Sequence, residues 1–270
     1  MTDGPEHQDA ATPDDAGRGL VKSAERAVRI METLADSSER LTLAGLQERT
    51  GYPRSSLYAL LHTLAALKWI EGSDGEQAFG IGPRALLCGT AYLDRDPAMP
   101  FVTPQIERLR DEVGYTTHYA RLDGPNVIYL ATREATDSRR LTSRVGRQLP
   151  AHATALGKAL LAELTMHEVD RTVPTDRLAR VTENTLITHS DLHADLDETR
   201  KRGWAREKEE NTRGLRCVAA TVGYRIPATD AISCSMPVDT VTDEEMHKVA
   251  DAVQRHCTEL AGTLRRAGVR

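Results

Sequence analysis

The sequence predicts an α+β protein in two parts, a small helical module that ends in a β-hairpin and a larger domain built on a largely antiparallel sheet. The module is predicted by three amphipathic helical patterns within about sixty residues and by two short β-type runs directly after them. The sheet is predicted by strand-like runs that alternate with helical ones between positions 96 and 270. Apolar residues make up 40% of the 270-residue chain, enough to give each part a core.

Composition limits the class of protein. A net charge of −5 argues against a non-specific nucleic-acid coat. The four cysteines are scattered without a C-x-x-C pair, which argues against a disulfide framework or a zinc site and favours a reduced, cytoplasmic setting. The sequence shows no apolar run of membrane length and no signal peptide, so we expect no membrane partner.

Four segments can be distinguished along the chain. Residues 1–20 hold Gly, Pro, Asp and Ala with almost no large apolar group, so we expect a disordered acidic tail there. Residues 21–82 are predicted to form the small module. Residues 83–95 are predicted to form a linker helix whose apolar surface is typical of a dimer seam, and residues 96–270 the larger domain.

Start and stop signals bound the helices of the module. Ser23 is the expected N-cap of the first helix and Thr42 that of the second. Gly51 can end the second helix, and Pro53 suits the first turn of the third because its missing N–H has no partner there. Residues 72–75 (Gly-Ser-Asp-Gly) provide the hairpin turn. The third helix carries leucines at helical spacing on one face, at Leu57, Leu60, Leu61, Leu64 and Leu67.

The opposite face of the third helix carries short or planar polar groups near its N-terminus. A helix that enters the DNA major groove needs such groups, with hydroxyls for phosphates and an Arg or Tyr for base edges. Ordinary amphipathic surface helices can carry the same face, but the two preceding helices and the hairpin favour a winged helix-turn-helix that binds double-stranded DNA. The predicted DNA contacts are Lys22, Arg26, Thr42, Arg54, Ser55, Ser56, Tyr58 and His62.

The net charge of the module does not add to this evidence. Residues 22–77 contain seven Lys or Arg and eight Asp or Glu, whereas a DNA-binding surface is usually basic. Affinity would then depend on the placement of single charges and on two modules that bind together. We therefore expect two modules to act together on DNA, with strong dependence on the geometry of the dimer.

The larger domain begins with a helix that ends at Gly114, followed by two strands around an Asp-Gly turn. RRLTSRVGRQLP is predicted as a strand and loop, HATALGKALLAEL as a helix, and HSDLHADLDETRKRG as a helix that ends at Gly203. WAREKEENTRGLRCVAATVGYR supplies strands around a polar loop, and DAISCSMP is the last strand.

A long helix closes the chain. Thr242 and Glu245 have the spacing of a capping box at its start. One apolar stripe follows at helical spacing, at Met246, Val249, Ala250, Val253, Cys257, Leu260 and Leu264.

Several of these runs, in this order, resemble the IclR (isocitrate lyase regulator) family of bacterial transcriptional regulators, from about Val21 to Leu264. They are SAERAVRIMETLA, LTLAGLQERTGYPRSSLYALLHTL, LPAHATALGKALLA, EEN-TRGLRCVAA and AISCSMP. The resemblance implies an N-terminal winged helix-turn-helix, a linker helix and a C-terminal GAF-like domain for effector binding and oligomerisation. It also implies a regulator, more often a repressor, without a cofactor, whose effector is a small molecule such as a carboxylate. The expected assembly is a homo-oligomer, dimer or tetramer, on a palindromic operator.

The resemblance also implies where the effector binds, on the sheet of the larger domain. Ala155 and Leu156 would offer backbone N–H groups at a helix start, which favours anions. Ser233 and Ser235 lie two apart on a strand, so both hydroxyls point to one face and suit a carboxylate. Glu207 matches a position where the family often has Asp. The full set implied is Ala155, Leu156, Glu207, Cys217, Ser233, Ser235, His118 and Leu130, with Met236 as a further wall residue.

Each of these residues also has a purely structural interpretation. The two serines can bond within an ordinary strand, Cys217 can be a simple buried thiol, and His152 is better explained as a cap or packing residue. His189 and His193 are four apart, as in metal sites, but no third ligand stands at the spacing of a known zinc motif, so we expect no metal. The run at 206–210 is expected to be a solvated strand edge, apart from Glu207.

These residues are compatible with three functions to different degrees. A ligand-responsive DNA-binding regulator fits best, although Ala59 stands where the family commonly has Arg and the operator can therefore differ. A protein-binding adaptor that has lost DNA binding would also fit the near-neutral module. An enzyme that uses Cys217 with His118 or His152 fits least, because the sequence has no nucleophile elbow and no cofactor loop. We therefore predict that the protein is not an enzyme.

Overall fold

The computed structural model describes residues 21–72, 78–135 and 145–270. The predicted acidic tail, most of the predicted hairpin turn and the first part of the RRLTSRVGRQLP run lie outside these residues. The chain divides into two compact units, Met1–Ala91 and Tyr92–Arg270. No helix in the described ranges is both long and apolar enough to cross a membrane.

The first unit contains three helices and an antiparallel hairpin, as the helical periodicity and the turn signals predicted. A fourth helix follows directly, and the boundary between the units falls within it. The elements are α1 (Lys22–Asp36), α2 (Leu43–Thr50), α3 (Arg54–Ala66), β1 (Ile70–Glu71), β2 (Gly80–Ile81) and α4 (Pro83–Arg95).

The capping predictions hold for α2 and fail for α1. Thr42 accepts a hydrogen bond from the Gly45 N–H at 3.1 Å, and Gly51 ends the helix in the left-handed conformation with φ of 67°. Ser23 is not an N-cap, because α1 begins one residue earlier and Val21 occupies the cap position without a side-chain bond. Pro53 likewise precedes the third helix as its N-cap instead of lying in the first turn.

A small apolar core holds the first unit together. The predicted leucine face of α3 contributes to it through buried Leu57 and Leu61, with Leu60 and Leu64 packed at its margin. Leu67 does not belong to this face: it follows the helix and remains 55% exposed. The buried core residues are Ile30, Leu34, Leu41, Leu46, Leu57, Leu61 and Ile70.

The second unit has one six-stranded sheet in which every neighbouring pair is antiparallel. This confirms the predicted α+β class with a largely antiparallel sheet. The elements are α5 (Met99–Val113), β3 (Thr116–Asp123), β4 (Asn126–Arg133), β5 (Gln148–Pro150), α6 (Ala155–Leu161), α7 (Met166–Thr172), α8 (His189–Arg202), β6 (Ala205–Lys208), β7 (Leu215–Thr221), β8 (Asp230–Pro237) and α9 (Asp243–Arg266). The strand order in the sheet is β5-β4-β3-β8-β7-β6.

Helices cover both faces of this sheet. The core on one face combines side chains of α5 and α9 with alternate strand residues, and the core on the other face combines those of α6, α7 and α8 with the remaining ones. All seven residues of the predicted α9 stripe are buried in the first of these cores. The sheet therefore presents one face to α5 and α9 and the other to α6, α7 and α8.

Two helix starts differ from the sequence-based expectation. Thr242 caps α9 by accepting from the Glu245 N–H at 3.2 Å, but the Glu245 carboxylate accepts from the Tyr115 hydroxyl, so the capping box is only half formed. The short helix α7 was not predicted. Its start carries a complete capping box between Thr165 and Glu168, and this T-x-x-E signal was present in the sequence.

Candidate functional site

A small recess lies between the start of α6 and strands β6, β7 and β8. Six of the eight residues that the family resemblance implied line it together, and its free volume of about 20 Å³ has room for about one water molecule. Sequence reasoning missed the other five lining residues, because a loop and a cap supply most of them. The lining residues are Tyr129, Thr154, Ala155, Leu156, Glu207, Asn211, Thr212, Leu215, Cys217, Ser233 and Ser235.

The start of α6 is shaped by a threonine and a glycine. A 3₁₀ segment, Ala151–Ala153, leads into the helix, and Thr154 caps it by accepting from the Gly157 N–H at 3.0 Å. A Cβ on Gly157 would lie 2.2 Å from the backbone of Ala151, so only glycine lets the two segments approach this closely. This packing directs the first turn of α6 toward the sheet, where its N-terminal N–H groups have no partner within the helix.

The register of the sheet brings the polar side chains of the recess together. Cys217 on β7 stands opposite Glu207 on β6 and opposite Ser235 on β8, so all three side chains lie on one face. The Cys217 Sγ and Ser235 Oγ atoms are 3.3 Å apart. Ser233 lies two residues earlier on β8 and lines the same recess, as the alternation of the strand predicted.

Glu207 is a buried carboxyl in a wall that otherwise carries neutral groups. Burial raises the pKa of Glu207, and hydrogen bonds from the Cys217 thiol and from the backbone N–H of Glu210 oppose that rise. The N–H of Glu210 lies 2.9 Å from Glu207 Oε2. A carboxyl with a raised pKa can hold its proton and donate a hydrogen bond, so the recess offers both donors and acceptors.

A buried ion pair lies directly behind the recess. Lys158 of α6 is fully buried, and its Nζ lies 2.8 and 3.0 Å from the two carboxylate oxygens of Glu210 and 3.2 Å from Asp195 of α8. Burial raises the pKa of Glu210, and the Lys158 ammonium opposes the rise. The expectation of a solvated edge at 206–210 is therefore wrong for Glu210. The sequence did contain a hint of a buried ion pair, because Lys158 stands inside the apolar run ALGKALL and a buried lysine needs an acidic partner.

Three of the implied wall residues lie outside the recess. His118 faces the same side of the sheet as Ser233, its partner in register, but its ring bonds the Thr132 hydroxyl at 3.0 Å and packs edge-on against Tyr129. Leu130 and Met236 point to the opposite face and are buried in the α5–α9 core. These two assignments are wrong because both faces of the sheet are buried, which removes the polar alternation that identifies a face.

His152 has the packing role that its position suggested. Its ring is fully buried beside α6, and Nε2 donates to the Ala179 carbonyl at 3.2 Å. Burial lowers the pKa of His152, which favours the neutral ring. Both imidazoles that were considered as partners for a Cys217 nucleophile thus bond to other groups, His118 to Thr132 and His152 to Ala179.

In the first unit, the predicted DNA contacts fall into two groups. Arg54, Ser55, Tyr58 and His62 lie on the exposed side of α3, and Lys22 is exposed at the start of α1. Tyr58 is 53% exposed although it is a large aromatic residue. These five side chains are accessible to a ligand.

The other three predicted DNA contacts have structural partners. Arg26 donates to the Ser56 hydroxyl at 3.0 Å and lies over the Tyr52 ring at 5.1 Å, so this pair fastens α1 to α3. Thr42 is engaged as the α2 cap. These three residues therefore stabilise the arrangement of α1, α2 and α3.

The comparisons with known proteins agree with this architecture. Two family models match, the IclR helix-turn-helix domain over residues 23–74 and the C-terminal domain of the bacterial transcriptional regulator IclR over residues 90–261. The chain is 31% identical over 256 residues to the transcriptional repressor IclR of Escherichia coli strain K12, with 93% of this chain and 92% of the relative covered.

Solved structures show the same fold at lower identity. An IclR family transcriptional regulator from Brucella abortus matches with a TM-score of 0.79 and 18% identity, over 94% of this chain and 96% of that chain. An IclR homologue from Microbacterium hydrocarbonoxydans, solved in complex with 4-hydroxybenzoate, matches with a TM-score of 0.69 and 19% identity, over 90% and 99% of the two chains.

Proposed function

Because the chain belongs to the IclR family of bacterial transcriptional regulators, we propose that it is a repressor whose affinity for a palindromic operator changes when a small carboxylate binds in the α6 recess. The observation that carries this proposal is the convergence of helix N–H groups, two serine hydroxyls and a buried carboxyl on one recess. Hydroxyls and N–H groups are the donors that a carboxylate requires.

The size of the recess bears on how a ligand would enter. Room for about one water molecule is too little for an organic acid, so binding requires a wall to move. The movable wall is the loop between β6 and β7, which contributes Asn211 and Thr212, because the other walls belong to α6 and the sheet. The complex of 4-hydroxybenzoate with the Microbacterium protein supports a small aromatic acid as the ligand class.

Regulation requires that the ligand prefer one of two states of the protein. A ligand that binds the DNA-competent and the incompetent states equally would change nothing. The two states are expected to differ in the spacing of two helix-turn-helix modules within a homo-oligomer. Exposed Leu86 and Leu87 on α4, at 68% and 66% exposure, support a dimer contact along this helix.

The operator interaction gives the first test. Arg54→Ala should weaken binding to the DNA upstream of the protein's own gene by about 1–3 kcal/mol, because one charged contact from the start of α3 is lost. The matched control is Arg29→Ala, which removes an exposed arginine that pairs with Glu32 on α1. Fluorescence anisotropy at two salt concentrations, against a scrambled duplex, measures both. Equal losses of affinity in the two variants would contradict α3 as the recognition helix. If the protein showed no preference for the upstream DNA over the scrambled duplex, the alternative of a protein-binding adaptor without DNA binding would be favoured.

The recess gives the second test. The double substitution Ser233→Ala and Ser235→Ala should weaken the binding of a small carboxylate by about 1–3 kcal/mol, because two hydrogen-bond donors are removed. Calorimetry would start with 4-hydroxybenzoate and extend to a panel of small carboxylic acids. Ser190→Ala, at an exposed serine near the start of α8, is the control. Unchanged affinity in the double variant would mean that the ligand binds elsewhere.

A further inference from the structure

Helices α7 and α8 bring three metal-binding side chains to one point on the surface. His189 and His193 lie four apart on α8, and Asp170 comes from α7. The Nδ1 atom of His189 and the Nε2 atom of His193 are each 2.8 Å from the same oxygen, Oδ1 of Asp170. We propose that these three residues bind a divalent transition metal of the Zn²⁺ class, at a place separate from the α6 recess.

The hydrogen bonds of His189 carry this proposal. Its Nε2 lies 2.9 Å from the Val173 carbonyl, and because a carbonyl only accepts, Nε2 must hold a proton. A neutral His189 ring therefore presents the bare lone pair of Nδ1 to the Asp170 carboxylate, which repels it. The contact at 2.8 Å is favourable only when the ring carries a second proton or when a cation lies between the two groups. Zinc-binding histidines have this arrangement, with the far nitrogen donating to a carbonyl or carboxylate.

The remaining geometry also fits a metal. The three ligand atoms lie within 4.8 Å of one another, and two atoms bound to one zinc ion stand at most about 4 Å apart, so small side-chain rotations suffice. In the described part of the chain, no group bonds Nδ1 of His193, so the proton can reside there and leave the Nε2 lone pair for the ion. Two imidazoles and one carboxylate are ligands that zinc accepts, with water in an open position.

The two histidines are largely buried, whereas the aspartate remains accessible to an ion from solvent. His193 and His189 are 13% and 22% exposed, whereas Asp170 on the outer side is 47% exposed. The absence of a third ligand at motif spacing led to the expectation of no metal. That reason fails, because the fold supplies Asp170 from a separate helix. A bound ion would join α7 to α8.

Zinc titration against a chromophoric chelator tests the site. All proteins would be full-length and carry Cys88→Ser, which removes an exposed thiol that could bind zinc by itself. We expect one Zn²⁺ per chain and a rise in melting temperature on zinc addition. Asp170→Asn and His193→Gln should each weaken the site by about tenfold or more, with unchanged circular dichroism. The matched control is His167→Ala, at an exposed histidine of α7, which should bind zinc as before.

Two results would overturn the proposal. One is absence of zinc binding by the Cys88→Ser protein, which would mean that the three residues form only a hydrogen-bonded contact. The other is equal zinc affinity in the Asp170→Asn, His193→Gln and His167→Ala variants, which would place the ion elsewhere. Neither result bears on operator binding or on the α6 recess, so the test is independent of the proposed function.

Discussion

Lys158→Met is expected to reduce the free energy of unfolding by about 3–5 kcal/mol, the range observed when one partner of a buried ion pair is removed. Methionine fills the space of the lysine stem but leaves the buried Glu210 carboxyl without its ammonium partner, at a site where Lys158 bonds both of its oxygens. Asp195 loses the same neighbour. Urea denaturation, followed through the unfolding transition of the second unit, measures the change in the free energy of unfolding.

The loss should depend on pH in a defined direction. Burial raises the pKa of Glu210, and removal of Lys158 takes away the group that opposes the rise. The variant therefore binds a proton at Glu210 in the folded state at a pH where the unfolded state has already released it. Its stability relative to the parent should fall as the pH rises from the unfolded carboxyl pKa through the raised folded one, and recover at acid pH.

Two further variants isolate the pair. Glu210→Gln added to Lys158→Met should restore part of the stability, because the orphaned charge is removed, and the double-mutant cycle gives the coupling between the two residues. Lys201→Met removes a lysine in an exposed pair with Glu198 on α8 and should change stability little. Similar small effects of Lys158→Met and Lys201→Met would show that the buried pair contributes no more than a surface pair.

The Lys158–Glu210 pair also affects the α6 recess. Glu210 directly precedes Asn211 and Thr212, which form the loop wall, and its backbone N–H bonds Glu207. The pair therefore anchors one end of the loop that we propose to move when a ligand enters. This links the stability of the second unit to the shape of the proposed effector site through three consecutive residues.

The sequence predicted most of the elements because their faces differ in polarity. The α9 stripe, the leucine face of α3 and the two serines of β8 all follow from simple periodicity on one element. Leu130 could not be assigned in this way, because β4 is apolar on both sides and its two faces pack against different helices. The partner of Glu210 could not be found either, since Lys158 lies 52 residues earlier in the chain.

The helix-turn-helix residues show a similar limit. Arg26 and Arg54 are both arginines near a helix start, and charge alone does not distinguish them. The fold does, because Arg26 is held by Ser56 and Tyr52 while Arg54 extends from the exposed side of α3. Side-chain pairing across helices is set by their packing, which local sequence patterns do not encode.

Arg121→Met should destabilise the second unit by about 3–5 kcal/mol as well, because it leaves two buried carboxylates without a cation. Arg121 Nε lies 2.6 Å from Asp230 and its Nη1 lies 2.7 Å from Asp96, and these two aspartates are 0% and 5% exposed in their side chains. The same Nη1 donates to the Tyr92 hydroxyl at 2.9 Å. The arginine thus fastens the last turn of α4 and the turn after it to β3 and β8.

Because Arg121 also contacts Tyr92, its replacement should loosen the end of α4 locally as well as lower the stability of the whole second unit. Hydrogen exchange should show that amides in the last turn of α4, around Tyr92, lose protection in Arg121→Met before the sheet does, because their side-chain tether is gone. Arg121→Lys keeps the charge but cannot contact both aspartates with a fixed fork, so its effect should be intermediate. Wild-type protection at Tyr92 in Arg121→Met would contradict the tether. If the tether holds, Arg121 fixes the last turn of α4 to the sheet of the second unit.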